Sequence, residues 1–420
     1  MTAADRAGAH MVDALCAAGR IRSPAVERAF RSVPRHVFLP SFAVHEAYAD
    51  DAIPIRFAEG AATSSASQPS MMAIMLEQLE LRSGQRVLEI GAGTGYNAAL
   101  MATVVGREGL VVAVDIDQEL IDDAAAHLAA AGPRLDAAGA GPVELVCADG
   151  ALGHPERAPY DRIVLTVGSD DVRPEWLAQL AEGGRLLLPL AVRGSQLCVA
   201  LDLGEDGVLR SDSVQSCMFI RLRGIGSATG STVVLGRTDL AVEVPSDGLP
   251  ADPDRLLAAL VEPGEVIRMP FPLRQADIWD GFGLWLALTE PGACRLVAAG
   301  SGTPARAGID LVAEDLLPVG SSTASLALVT SHGPVGLALV VQTADGRQAL
   351  RCFGPAGVDL AAVLVGSMQA WAAVGRPGAP DWRLTVVPGG TGEPGPGVVP
   401  KPHATVLAEV RSHGSPAVAG

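Results

Sequence analysis

From residue 69 to about residue 190 the sequence alternates continuous apolar runs with stretches of helical spacing, and no other feature restricts the fold as much. PSMMAIMLEQLEL leads into RVLEI, a helical stretch ends at Val105, and LVVAVDI follows. QELIDDAAAHLAAAG precedes VELVCADG, and YDRIVLTVG, PEWLAQLA and GGRLLLPLA complete the series. Runs without polar alternation are strands covered on both faces, and the helices between them supply the crossovers that parallel pairing requires. The spacing predicts an α/β, doubly wound, Rossmann-like domain over residues 1–205, with a helical cap carried by Met11, Leu15, Ile21, Val26 and Phe30.

Past residue 205 the texture changes. GEDGVLRSDSVQS is polar and turn-rich, and strand-like runs (STASLALVT, VGLALVVQT, WRLTVVP, ATVLAEV) mix with helix-like ones (DRLLAALV, VDLAAVLVGSMQAWAAV). This reads as an α+β accessory domain over residues 206–400, with a hairpin at SHGP. GRPGAP and PGGTGEPGPGVVP read as loops, and residues 401–420 as a tail with one short strand followed by disorder. The tryptophans of this half, Trp279, Trp285, Trp371 and Trp382, read as core, with peptide anchoring as the alternative.

Composition removes several kinds of chemistry. A net charge of -16 over 420 residues argues against nucleic acid as a partner, since phosphate binding needs clustered cations. No apolar span reaches the ~20 residues of a membrane helix, and no basic segment leads an apolar one at the N-terminus. The six cysteines lie apart without metal-ligand spacing and read as buried thiols of a cytoplasmic protein. Lys401 is the single lysine, which excludes a Walker-type loop and Schiff-base catalysis in the core.

The stretch LEIGAGTGYN opens the second helix of the alternating series with the spacing Glu89-x-Gly91-x-Gly93-x-Gly95. A dinucleotide fingerprint places its third glycine one position later, where Tyr96 stands. A carboxylate beside a pyrophosphate is unfavourable, whereas a ligand with an ammonium or sulfonium group suits it, and S-adenosylmethionine is such a ligand. Asp115, at the end of the next strand, can accept from ribose hydroxyls, and Asp149 with Gly150 closes the third strand near an adenine amine. Taken singly, Glu89 and Asp115 also suit helix caps and Asp149 a turn. Three acids at the carboxyl ends of successive strands fall where such sheets bind ligands.

At these residues a family resemblance emerges. LEIGAGTGYNAALMA, VVAVDIDQEL, CADGALGHPERAPYDRIVLTVG and LAQLAEGGRLLLPL resemble, in order and spacing, the core of the protein-L-isoaspartate O-methyltransferase family. VPRHVFLP, EAYADDAIPI and SASQPSMMAIML resemble its N-terminal cap. The resemblance covers residues ~10 to ~200. It implies S-adenosylmethionine as cofactor, Ser67 as the active-site serine with Ser65 as a neighbouring hydroxyl, and Glu89, Gly91, Gly93, Gly95, Asp115, Asp149 and Gly150 as cofactor contacts. As a helix N-cap, Ser67 has an ordinary alternative role. His36 and His45 of the cap read as structural.

Two departures stand out: the cap loop RFAEGAATSSASQP is longer than in the repair enzymes, and another ~200 residues follow where those enzymes end. Both features resemble a branch associated with ribosomally synthesised peptides (lanthipeptide, graspetide or lasso) in actinobacteria. That branch methylates an aspartyl side chain of a modified precursor peptide, and the ester closes to aspartimide, with isoaspartate on hydrolysis. The implied partner is such a precursor, macrocyclised or otherwise modified; the sequence leaves the oligomeric state open. Repair of L-isoaspartyl residues is the second reading and a non-catalytic, methyltransferase-like peptide adaptor the third. A nicotinamide oxidoreductase is opposed by Glu89 and the glycine spacing.

Overall fold

The computed structural model describes residues 2–58, 60–227, 232–236, 240–243, 252–261, 263–298, 325–330, 333–342, 347–390 and 392–411. The chain forms two compact units, residues 1–190 with 198–213 and 217–227, and residues 191–197 with 214–216 and 228–420. The sequence places one boundary at residue 205; in the structure short pieces of three strands before and after it are counted with the second unit.

The first unit opens with helices α1 (Ala3–Ala17), α2 (Pro24–Ser32) and α3 (Val44–Ala47). Thr2 and Asp5 form a reciprocal capping box on α1, and Ser23 caps α2 with Pro24 in its first turn, where a missing N–H costs nothing. A two-stranded antiparallel hairpin follows, β1 (Ile53–Ala58) and β2 (Ala61–Ala66), built from the stretch that the sequence reads as a lengthened loop. The alternating series then gives α4 (Pro69–Leu79), β3 (Arg86–Ile90), α5 (Tyr96–Val105), β4 (Leu110–Asp115), α6 (Gln118–Ala138), β5 (Val143–Cys147), β6 (Tyr160–Leu165), α7 (Pro174–Gln179), β7 (Leu180–Val192), β8 (Ser195–Leu203) and β9 (Leu209–Ser216).

Strand order β9-β8-β7-β6-β3-β4-β5 makes the sheet, and β7, β6, β3, β4 and β5 run parallel. From β3 the chain winds outward through β4 and β5, then returns to β6 on the other side. The switch point therefore lies between β3 and β6, and a crevice opens at their carboxyl ends. Val87, Val111, Ala113 and Val164 are buried beneath α5 and the cap, joined by Met11, Leu15, Phe30, Phe38 and Tyr96 in one core.

Helix α6 departs from the sequence reading, which ends it at Gly132; it continues through Pro133 to Ala138. A proline inside a helix costs about 3 kcal/mol. Beyond it Arg134 pairs with Asp5 at 2.8 Å and Leu135 packs on the core, contacts that favour the extension, the half-exposed ion pair by at most about 1 kcal/mol. The thiols are not uniformly buried either: Cys147 is exposed, because it ends β5 at the rim of the sheet.

In the second unit β10 (Thr232–Val234), β11 (Leu240–Glu243), α8 (Pro253–Val261), β12 (Pro263–Arg268), α9 (Gln275–Trp279), α10 (Phe282–Thr289), β13 (Ala293–Ala298), β14 (Ser325–Val329), β15 (Leu337–Gln342), β16 (Gln348–Phe353) and α11 (Gly357–Ala373) build a mixed α+β layer. Its sheet is antiparallel, in the order β10-β11-β13-β14-β15-β16-β12. β14 and β15 pair as the SHGP hairpin requires, although Ser331 and His332 of that turn lie outside the described residues. β17 (Trp382–Pro388), β18 (Val398–Pro400) and β19 (Ala404–Val410) form a further antiparallel ribbon. The end of the supposed loop and the supposed tail strand are thus paired elements, and Lys401 between them is buried, its Nζ donating to Ala191 O. Residues 412–420, read as disordered, lie outside the described residues. Trp371 and Trp382 are fully buried and Trp285 packs its ring 5.7 Å from Trp382, so these three serve the core.

Arg185 of β7 shows what holds one side of the first unit together. Its side chain is 7% exposed and donates to both oxygens of Asp202 at 2.8 Å, to Asp212 at 2.6 Å and to Gln78 O at 2.6 Å. The two carboxylates keep contact with water, which discounts the charge term. Arg185→Met is expected to lower the unfolding free energy by about 1–3 kcal/mol, read as an earlier urea midpoint.

Candidate active site

The crevice at the switch point is an open cleft within the first unit. Its floor is the loop after β3. Gly91 sits at φ +103°, and a Cβ there would lie 2.6 Å from Thr166 Oγ1, so only glycine lets β3 and β6 close at this point. The N–H groups of Gly91 and Ala92 both donate to Val114 O, at 2.8 and 3.0 Å. That of Gly93 donates to Asp115 Oδ2 at 3.1 Å, and that of Gly95 to Ala92 O at 2.8 Å. These amides are already satisfied, so the loop is no phosphate cradle.

Of the glycines marked in the sequence, Gly91, Gly93 and Gly150 line the cleft. Gly95 does not; it caps α5 at φ +81° and a Cβ there would meet Ala124 of α6 at 3.2 Å. Its small size serves close helix packing.

Glu89 is wholly buried, accepts from Asn97 Nδ2 at 2.8 Å through Oε1, and leaves Oε2 without a hydrogen-bond partner among the described residues. Burial pushes its carboxyl up to about 8, against the opposing hydrogen bond from Asn97. An orphaned, buried acceptor at the wall of a cleft is costly and is relieved by a cationic donor. Asp115 accepts from Gly93 N through Oδ2 and from Asp117 N through Oδ1 at 3.2 Å, with Arg223 Nη2 3.7 Å from Oδ1. Burial raises its pKa, and those N–H groups lower it. Lone pairs of Asp115 remain available for hydroxyl donors.

Asp149 is arranged differently from the sequence reading. Its Oδ1 accepts from Ala151 N at 2.9 Å and its Oδ2 from Ile225 N at 2.8 Å, and the side chain does not line the cleft. Asp149 fastens the segment around Gly224, while Ile220, Leu222 and Arg223 of the same segment wall the cleft. Nothing in CADG announced this, because the partner amide is 76 positions away.

The opposite wall is β2 and the turn into α4: Thr63, Ser64, Ser65, Ala66 and Ser67 all face the cleft. Helix α4 begins at the N-cap Gln68, which makes no side-chain cap, and Asp50 accepts from Ser70 N at 2.8 Å. Ser67 is therefore not the cap; its hydroxyl makes no hydrogen bond among the described residues, and it borders the cleft. His36 bonds Tyr48 through Nδ1 at 2.9 Å, away from the cleft. Arg35, Asn97, Thr166 and Arg223 line it and were not singled out in the sequence. Only Arg35 carried a signal there, a charge inside the apolar stretch VPRHVFLP.

A Rossmann-like sheet with acids at its switch point defines a nucleoside-binding enzyme, and the comparisons specify which kind. The model of the protein-L-isoaspartate(D-aspartate) O-methyltransferase (PCMT) family matches residues 6–226. The protein-L-isoaspartate O-methyltransferase of Methanopyrus kandleri is 38% identical over 220 residues, 52% of this chain and 92% of its own. A solved protein-L-isoaspartate O-methyltransferase is similar over 90% of this chain and 96% of its own, at 25% identity and TM-score 0.48. A Plasmodium falciparum structure, described as a putative enzyme of that type in complex with S-adenosyl-L-homocysteine, covers 51% of this chain and 97% of its own, at 19% identity and TM-score 0.43. The chain belongs to the protein-L-isoaspartate(D-aspartate) O-methyltransferase family. It is an S-adenosylmethionine-dependent protein carboxyl O-methyltransferase. The orphaned Glu89 oxygen, the open space above Gly93 and the acceptor Asp115 fit that cofactor's ammonium and ribose.

Among the described residues no group of His, Cys, Asp and Glu could hold a metal ion, and no helix is long and apolar enough to cross a membrane.

Glu89 has a folded pKa of about 8 against an ordinary 4.5. The folded state keeps a proton that the unfolded chain loses between those values, so this group's contribution to stability falls as pH rises through the interval. Glu89→Gln is expected to melt higher than the wild type at pH 9. A bound ammonium favours ionised Glu89, so wild-type affinity for S-adenosylhomocysteine should rise from pH 6 towards about 8, and the variant should lose that slope in calorimetric titrations.

Proposed function

We propose that this enzyme methylates an aspartyl side-chain carboxylate of a ribosomally made, modified precursor peptide. The observation that carries the reading is the chain beyond residue 226, which the family model does not reach and which folds as a unit with its own core. Support also comes from the β1–β2 hairpin, whose Phe57 is 65% exposed beside the strand that lines the cleft. The second unit would recognise the precursor, through surfaces other than its buried tryptophans.

When bound, S-adenosylmethionine supplies an electrophilic methyl group on a sulfonium. A carboxylate is ionised at neutral pH and needs no general base. The protein's task is to hold the nucleophilic oxygen in line and keep water out. Glu89 would receive the cofactor's ammonium and Asp115 its ribose, while Ile220 and Leu222 shield the cleft. The free hydroxyl of Ser67 would donate to one carboxylate oxygen, leaving the other to attack. After transfer, the next backbone nitrogen of the peptide displaces methanol from the ester and closes the aspartimide; water reopens it to aspartate or isoaspartate.

Repair of L-isoaspartyl residues is the second reading, favoured by the 38% identity with the Methanopyrus kandleri enzyme over 92% of its length. The two separate by mass spectrometry of aspartyl precursor and isoaspartyl control peptides with S-adenosylmethionine. Gain of a methyl group, or net loss of water, on the precursor alone is the expected result; methylation of the control alone returns the enzyme to repair. Ser67→Ala should reduce kcat/KM for the accepted peptide by about 10–100-fold while leaving S-adenosylhomocysteine affinity unchanged.

A further inference from the structure

Arg35 places a cation at the cleft with no carboxylate in contact with it, and Asp50 acts on it only from longer range. The residue is 1% exposed, and no acidic side chain lies within ion-pair distance among the described residues. Its Nε donates to Ala47 O at 2.8 Å and its Nη2 to Ser67 O at 2.9 Å. Nη1 faces only the thioether of Met72 at 3.5 Å, a weak acceptor, and the guanidinium lies 5.1 Å from the Tyr96 ring centroid. Burial lowers its pKa, yet an arginine stays charged in any such setting. Tying two carbonyls together does not require a charge, and a buried charge without a contacting counter-ion is costly. The charge therefore has another use, and Arg35 lines the cleft together with Ser67.

We propose that Arg35 is the counter-charge of the substrate carboxylate, making the cleft select an anionic acyl group over its neutral amide. The inference rests on the carboxyl-methyltransferase reading and adds the residue that enforces it. In a site of low dielectric the field of one fixed cation is strong, and its sign opposes a second cation while drawing in an anion. Its hydrogen-bonding also suits a nucleophile. With Nε held by Ala47 O, Arg35 cannot meet a carboxylate through its Nε/Nη2 edge, and Nη1, which faces only a thioether, is the donor left for it. It acts mainly on binding, so its loss should raise KM more than it lowers kcat. The bond to Ser67 O links the charge to the hydroxyl that orients the same carboxylate.

The test compares binding of an aspartyl or isoaspartyl peptide with its carboxamide counterpart, in the presence of S-adenosylhomocysteine, by fluorescence anisotropy. No turnover is required, so this readout stands apart from the methylation assay. The wild type should prefer the carboxylate peptide by at least about tenfold. Arg35→Gln should bring that ratio towards one, with S-adenosylhomocysteine affinity unchanged. Arg35→Lys keeps the charge but cannot hold both carbonyls, and should retain the preference even if it melts earlier. Equal weakening of both peptides in Arg35→Gln, loss of the preference in Arg35→Lys, or no preference in the wild type each overturns the inference.

Discussion

One carbonyl, Val114 O, receives the N–H groups of both Gly91 and Ala92, and the rest of the active site depends on that convergence. It folds the end of β3 onto the end of β4, which brings Glu89 and Asp115 to the same cleft. It also consumes the amides that a phosphate would need, so the ligand class is decided by backbone geometry before any side chain is considered. Gly91 is the residue that allows it, since Thr166 and Val167 occupy the space a side chain would take.

The electrostatics of the cleft follow from burial rather than net charge. The chain carries a charge of -16, yet the groups that matter are a carboxyl pushed up to about 8 by desolvation and a guanidinium enclosed beside Ser67. Each is expensive when isolated, and their signs are opposite. A cation on one wall and an acid on the other fit two ligands of opposite charge, a carboxylate and an ammonium-bearing cofactor. The reaction neutralises a carboxylate and a sulfonium, so a pocket holding both charges apart from water suits it.

The strand-and-helix series was legible because period and length report burial directly: helices α4 and α5 and strands β3 and β4 occur where the apolar pattern puts them. Less legible were features that depend on distant partners. Helix α6 outruns its Gly132-Pro133 stop, and past it Arg134 and Leu135 meet Asp5 and the core, partners far away in sequence. The cap loop is a hairpin, whose second strand, AATSSA, has no large apolar side chain to signal burial. The Pro/Gly-rich stretch before Lys401 ends in a paired strand of only 3 residues, too short to stand out from the loop.

The sequence by itself determined the sheet, the glycine turn, the acids at the strand ends and the family, since each is written in local spacing and residue type. Tertiary structure decided which of those residues face the cleft. It turned Gly95 towards α6 and Asp149 towards Ile225, freed the Ser67 hydroxyl from capping, and set Arg35 beside it. Direction and partnership at these positions are set by segments dozens of residues apart, and no local pattern encodes where such segments meet.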